Sequence, residues 1–292
     1  MSGPLLIVDV PWLLYRSFFG LPKSILGSEG KPVNALLGTV NAVLATIDAR
    51  LPARRVRGVV ACMGAEEAEY RVALYPGYHA QREPMPAELA AQWELAPALL
   101  DGLGWTVSTS AELEADDVMF SFAREEEARG GTALLLSGDR DMYAAVSERV
   151  AVIDLRKGSE QEELGPAQVR ERYGVDPEQV TDFIALRGDP SDGLPGAPGV
   201  GAKTAAELLR EHRTLAGVLK AAKTTGTLRP RIATALTEHE QLLLTFQRIA
   251  TLQSIDIGIP PDRETDYAGG AQVAGELGMN RLAERLSGLA KT

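Results

Sequence analysis

Apolar residues in the first half of the chain come in short blocks. Residues 5–8, 56–62, 105–108, 132–137 and 150–154 have the length and character of buried strands. Between them, 35–47 and 117–123 carry apolar residues at helical spacing. Strand alternating with helix predicts an α/β fold, a mostly parallel central sheet flanked by helices. Past about residue 160 the strand signal nearly stops. Residues 168–173, 177–186, 203–211 and 237–251 read as helices, punctuated by the Pro/Gly-rich run 188–201. The expected organisation is an α/β core over 1–160 with a helical region over 161–292 packed on it. Residues 71–89 mix aromatics, basic residues and prolines and fit neither pattern, and a loop of that length inside a domain is usually functional or mobile.

The composition, 45% apolar and 24% charged, is that of an ordinary globular chain. The single cysteine, Cys62, excludes an internal disulfide framework and suits a reducing cytoplasm, with core packing as its simplest role. The N-terminal apolar run has no basic flank and meets Asp9 after four residues, so it reads as a strand and not a signal peptide. No apolar run approaches the roughly 20 residues of a membrane helix, and no membrane partner is expected. A net charge of −10 argues against a nucleic-acid partner until its distribution is considered. Between Gly201 and Arg231 seven basic residues stand against Glu207 and Glu211, a surplus of five in an otherwise acidic chain.

The acids also cluster. Asp9 ends the first strand, Glu114, Asp116 and Asp117 open a helix, and Asp139 and Asp141 follow the strand at 132–137. In a parallel sheet these positions fall at one edge, beyond the C-terminal ends of the strands. Any one of them could be a helix-dipole partner or a cap. Together they would repel and be driven towards protonation unless a cation held them ionised. Oxygen-only ligation, with His79, His212 and His239 at no ligand spacing, points to magnesium or manganese over zinc. Asp189 and Asp192 would extend the cluster if the helical region folded back over that edge. Two such groups could hold two ions about 4 Å apart, the arrangement that hydrolyses phosphodiesters.

The run G-A-P-G-V-G-A-K-T-A at 196–205 offers glycines for a tight turn and helix-opening amides beside Lys203. Its spacing fails the P-loop pattern, and a hairpin gripping a DNA backbone suits it better.

Taken in order, L6-I-V-D-V-P-W-L-L-Y-R-S-F-F19, Y70-R71, L74-Y-P-G-Y-H-A-Q-R82, E114-A-D-D117, S137-G-D-R-D141, Y173-G-V-D-P-E-Q179, G188-D-P-S-D192, the hairpin and L277-G-M-N-R-L-A-E-R-L286 resemble the bacterial 5′-to-3′ exonuclease and flap endonuclease family. Nearly the whole chain is covered, as in the N-terminal nuclease domain of DNA polymerase one with no polymerase behind it. The resemblance implies a PIN-like core that hydrolyses DNA near 5′ ends or flap junctions by divalent-metal-activated water, leaving 5′-phosphate products. It implies Asp9, Glu114, Asp116 and Asp139 as ligands of one Mg2+ or Mn2+, with Asp117 close by, and Asp141, Asp189 and Asp192 as a second cluster. Residues from 74 to about 100 would form a helical arch over a single strand. Arg82 would steer phosphate there, with Tyr78 and His79 beside it, and Arg16 and Arg71 would lie near the scissile phosphate. Gly199, Gly201, Lys203 and Thr204 would hold duplex in a helix-hairpin-helix, with a potassium ion on main-chain carbonyls. A monomer is expected, and a polymerase or sliding-clamp partner finds no motif in the closing S-G-L-A-K-T.

Two positions depart from the family pattern. The aspartate usual at the end of the second strand is replaced in A61-C-M-G-A65, which offers Met63 and Gly64. Retained activity with a shift towards manganese is the expectation, since the remaining acids and waters can complete the shell. The arch lysine after the tyrosine is His79, which would either make cleavage fall as pH rises from about 6 to 8 or be merely an exposed arch residue. These losses motivate a second reading, a DNA-structure-binding protein whose nuclease site has decayed. A single-stranded RNA nuclease of the PIN type is disfavoured by the hairpin.

Overall fold

In the computed structural model, which describes residues 3–50, 55–155 and 161–291, the blocks of apolar sequence become strands. These are β1 (Leu5–Asp9), β2 (Gly58–Met63), β3 (Thr106–Thr109), β4 (Ala133–Leu136), β5 (Val150–Leu155) and β6 (Gln161–Leu164). The sheet order is β3-β2-β1-β4-β5-β6, parallel throughout except for β6, which runs antiparallel to β5. Every residue of β1, β2 and β4 is buried, as expected of strands covered on both faces. The strand β6 was not anticipated, because Q-E-E-L has no apolar run. Its single paired edge needs none. The expected domain boundary at residue 160 lies outside the described residues.

Helices α1 (Val10–Gly20), α2 (Asn34–Asp48), α3 (Glu69–Leu74), α4 (Ala87–Gly102) and α5 (Ala115–Ala128) alternate with the first strands. They are followed by α6 (Pro166–Tyr173), α7 (Val180–Arg187), α8 (Ala202–His212), α9 (Leu215–Ala222), α10 (Pro230–Glu238), α11 (Glu240–Ala250), α12 (Tyr267–Glu276) and α13 (Asn280–Leu289). The expected single helix at 237–251 is interrupted at His239, whose ring Nδ1 lies 2.9 Å from the Ala235 carbonyl.

Two cores sandwich the sheet. On one face Leu5, Ile7, Val60 and Leu135 pack with α5 and with helices α7–α11. On the other, Leu6, Val8 and Leu134 pack with α1, α2, α4 and the last two helices, through Ala271, Ala274, Leu282 and Leu286. The expected helical region is thus divided between the two faces.

The arch is also shorter than expected. Leu89, Ala96, Leu99 and Leu100 bury one face of α4 in the second core, and the buried Gln92 carboxamide accepts from the Ala35 and Leu36 amides. That apolar face fixes α4 to the core, leaving 75–86 as the connection that overhangs the strand ends.

Candidate metal and nucleic-acid site

Because the strand order runs outward in both directions from the β1–β4 pair, the chain leaves those two strands on opposite sides and opens a crevice at their C-terminal ends. Asp9 closes β1 and caps α1, its Oδ1 accepting from the Trp12 amide at 2.9 Å. Its Oδ2 accepts from Ser137 Oγ, just past β4, at 2.6 Å. Ser137 Oγ also accepts from the Asp139 amide, and Asp139 Oδ1 accepts from the Asp141 amide, so one turn aims two carboxyls at the crevice. Asp116, in the first turn of α5, faces the same space.

Burial raises the Asp9 carboxyl to about 6, against the bonds from Ser137 and Trp12 and with help from Asp139. Asp139 is likewise raised to about 6, chiefly by burial, with Asp192 and Asp189 adding repulsion. Burial, then the charge of Asp139, pushes Asp116 and Asp141 well above the usual range. These acids are close enough to feel one another. Among the described residues none of the four pairs with a Lys or Arg. Nor do three ligating side chains there already converge at metal spacing, so the acids form an open rim and not a closed cage.

The loop 188–194 folds back over the strand ends as expected. Asp189 and Leu194 exchange two backbone bonds of 2.8 Å, and the Asp189 carboxylate accepts from the Ser191 amide and hydroxyl. Asp192 faces the crevice, 3.1 Å from His79 Nε2 and 3.6 Å from Arg82.

Several expected site residues play other parts. Asp117, one position on from Asp116, is fully buried and does not line the crevice. Its Oδ1 meets Arg71 Nη2 at 2.8 Å and accepts from the Gln253 amide, so it stands outside the acidic rim. Arg71 also binds Glu114 at 2.8 Å and donates to the Ile249 carbonyl, tying α11 to α5. It is buried and still lines the crevice, beside the acids where the resemblance puts it. Burial opposes its charge, but Glu114 and Asp117 outweigh that and raise its pKa. Tyr78 is buried with its hydroxyl 3.0 Å from Glu114 Oε2, so its ring is not an open stacking surface. His79 is buried too, and is no exposed arch residue. Glu114 is held by Ala68, Tyr78 and Arg71 while still lining the crevice. Arg82 is half-exposed and Arg16 is exposed, with its guanidinium 5.6 Å from the Trp12 ring centre.

The crevice is a cavity of about 450 Å3. Asp9, Glu114, Asp116, Asp139, Asp141 and Asp192 line it, with Glu66 and Glu83. Its aromatic wall comes from Trp12, Tyr15 and Phe19 of α1 and Trp93 of α4. This wall escaped the sequence reading, although 12, 15 and 19 share one helical face. The Trp12 ring lies so near Gly138 that a Cβ there would stand 2.1 Å from it, so a glycine is required between Ser137 and Asp139.

Gly64, where the family aspartate was expected, sits against the backbone of 113–115. A Cβ there would lie 2.4 Å from the Ala115 nitrogen. Met63 turns into the core.

Between α7 and α8 the chain makes the expected hairpin. Gly196 and Gly199 take positive φ, and a Cβ on Gly196 would strike the Gly188 nitrogen at 2.3 Å. Gly199, Gly201 and Lys203 are exposed and Thr204 is half-buried. The basic residues Lys203, Arg210, Arg213, Lys220, Lys223, Arg229 and Arg231 are all exposed.

Residues 4–174 match the model of the 5′-3′ exonuclease N-terminal resolvase-like domain, and 175–265 that of the 5′-3′ exonuclease C-terminal SAM fold. A 5′-3′ exonuclease of Mycobacterium tuberculosis is 34% identical, with 98% of this chain and 97% of that protein covered. The thermostable DNA polymerase I of Thermus thermophilus is 36% identical over 92% of this chain, which spans only 31% of the polymerase. Among solved structures, the T5 D15 protein co-crystallised with metal ions superposes with a TM-score of 0.70 at 17% identity, covering 98% of this chain and 99% of that one. The catalytic core of Rad2 in complex with DNA substrate superposes with a TM-score of 0.63 at 11% identity, covering 98% and 92%. Among the described residues no helix is long and apolar enough to cross a membrane. With the two family models matching residues 4–265 in succession and a relative at 34% identity covered over nearly its whole length, the chain belongs to the 5′-3′ exonuclease family.

Proposed function

We propose that this nuclease is a structure-specific DNA 5′-nuclease, both exonuclease and flap endonuclease, that cuts near 5′ ends or flap junctions and leaves 5′-phosphates. The observation that carries the reading is the crevice: eight carboxylates line one cavity, and among the described residues none of the four rim acids Asp9, Asp116, Asp139 and Asp141 forms an ion pair with a Lys or Arg. An all-oxygen donor set with that surplus of charge fits hard divalent cations, Mg2+ or Mn2+. Asp9, Glu114, Asp116 and Asp139 would hold one ion, and Asp141, Asp189 and Asp192 a second. Such ions supply activation of water and neutralisation of the departing oxygen.

The chain's own residues do the rest. Ser137 and the Trp12 amide hold Asp9 in place, and Arg71 and Tyr78 hold Glu114. Arg82, at the mouth, meets the phosphate of the 5′ strand. Trp12, Tyr15, Phe19 and Trp93 exclude water from the aromatic wall and offer faces on which unpaired bases can stack. Gly199, Gly201, Lys203 and Thr204, with a potassium ion on nearby carbonyls, grip the duplex backbone, and Arg16 adds positive charge beside the crevice. Since these contacts fall mostly on backbone, substrate shape decides cleavage and base sequence does not. The same reading makes the protein a cytoplasmic monomer.

A fluorescent 5′-flap duplex with Mg2+, Mn2+ or chelator tests this, with Asp116→Asn alongside. Metal-dependent cleavage near the junction, lost in the variant while DNA binding persists, is expected. Tight structure-dependent binding without cleavage in either metal would favour the second reading, a DNA-binding relative with a decayed site, for which the missing acid at Gly64 is the motive.

A further inference from the structure

The Tyr78–His79 step reaches both halves of the acidic rim. Tyr78 donates its hydroxyl to Glu114, 3.0 Å from Oε2 and 3.1 Å from Oε1. The next residue turns the opposite way. The His79 backbone takes a positive φ of 53°, its ring stacks on Tyr78 at 3.8 Å, and its Nε2 lies 3.1 Å from Asp192 Oδ1. A carboxylate only accepts, so Nε2 carries the proton in this contact. The main chain repeats the attachment, with the His79 amide donating to the Asp192 carbonyl at 3.1 Å. Beside it, Gly193 has a positive φ and approaches Gly77 so closely that a Cβ would stand 2.4 Å from the Gly77 oxygen. The turn at 77–79 and the loop at 189–193 are therefore interlocked by main chain, side chain and a paired glycine approach. Among the described residues His79 Nδ1 has no hydrogen-bond partner, so beside its stacking on Tyr78 the buried ring is held by the Asp192 contact.

We infer that His79 is a positioning residue: with Tyr78 it forms a clasp that orients Asp192 and sets the separation of the two carboxylate groups, and it does not steer phosphate. With Oδ1 engaged, Asp192 is left to present its other oxygen to the crevice. A buried histidine that fixes a carboxylate orders the second group before any cation arrives, as outer-shell partners do elsewhere. Non-glycine residues pay for positive φ, and a strained residue persists where surrounding contacts over-determine it. The inference rests on the divalent-cation reading given above.

The test is Mn2+ binding to the metal-free full chain by calorimetry, without DNA. Wild type is expected to bind two ions. His79→Leu is expected to weaken the second site about 10–100-fold, the usual cost of losing an outer-shell partner, and to leave the first site unchanged. His79→Gln, whose amide nitrogen reaches the place of Nε2, is expected to restore most of that affinity, whereas His79→Asn, which falls short of it, is not. Binding of a 5′-flap duplex in chelator is expected to be the same in all three variants. If His79→Leu does not fold, the Gln and Asn variants decide alone, and equal second-site affinity in the two overturns the inference. Loss of DNA affinity with Mn2+ binding intact overturns it as well, and returns His79 to a steering role. A wild-type chain that binds no Mn2+ overturns the functional reading and the clasp with it, while two sites unmoved by every His79 variant overturn the clasp alone.

Discussion

Arg71 Nη2 and Asp117 Oδ1 meet 2.8 Å apart with both side chains buried, between the entrance of α5 and the end of α11. Losing one member of such a pair strands the other charge in a low dielectric. Arg71→Met is therefore expected to destabilise the fold by roughly 3–5 kcal/mol in urea unfolding. A cost under about 1 kcal/mol, typical of exposed pairs, would count against this assignment.

The rim acids set a pH dependence. Burial raises the Asp9 and Asp139 carboxyls to about 6 in the folded chain, from an ordinary value near 3.8. Between those limits the folded state holds more protons than the unfolded one. Stability is then greatest below about 4 for these groups and is lost as pH rises through 6. Thermal melts in chelator should show this contribution falling over that window. Added Mn2+ at neutral pH should recover it, because a ligand that binds only the folded state stabilises it.

Asp116→Asn should separate chemistry from folding. Removing a carboxylate that burial and Asp139 hold well above its usual range relieves repulsion, so the variant should melt higher than wild type in chelator. Cleavage of a 5′-flap duplex should drop by more than the roughly 10–100-fold that loss of an outer-shell partner costs. A variant that melts lower and cuts normally would remove Asp116 from the site.

Restoring the family acid should fail. A side chain at position 64 would run into the 113–115 backbone, so Gly64→Asp is expected to lower the melting temperature and shift the entrance of α5. Mn2+ affinity above wild type in that variant would contradict this.

Lys203 tests the hairpin. If it contacts one phosphate of the duplex, Lys203→Ala should weaken flap-duplex binding and reduce the salt slope by about 1 for all sequences alike. An unchanged slope between low and physiological salt would place the duplex elsewhere.

The sheet was legible because β1, β2 and β4 are buried on both faces and so read as unbroken apolar runs, while β6 was not, since an edge strand of Q-E-E-L has no such requirement. The rim was legible for a related reason. Asp9 ends β1 and Asp139 and Asp141 follow β4, and strand ends in a parallel sheet share an edge. What the pattern could not give was direction. Asp116 and Asp117 are adjacent in sequence, yet helical rotation sends one to the crevice and the other to Arg71. Tyr78 and His79 likewise read as arch residues, because only the fold reveals that Glu114 and Asp192 come to meet them. The apolar wall stayed hidden because an aromatic helix face is usually core, and only the cavity distinguishes the two.

The last two helices lie on the same face of the sheet as α1, so Leu282 and Leu286 share a core with Leu6 and Val8 from the opposite end of the sequence. While the chain is being synthesised, that face of β1 lacks its full cover until Leu286 has emerged. A nascent chain stopped after the second family module would already carry every residue that lines the crevice, yet leave the α1 face of the sheet partly uncovered.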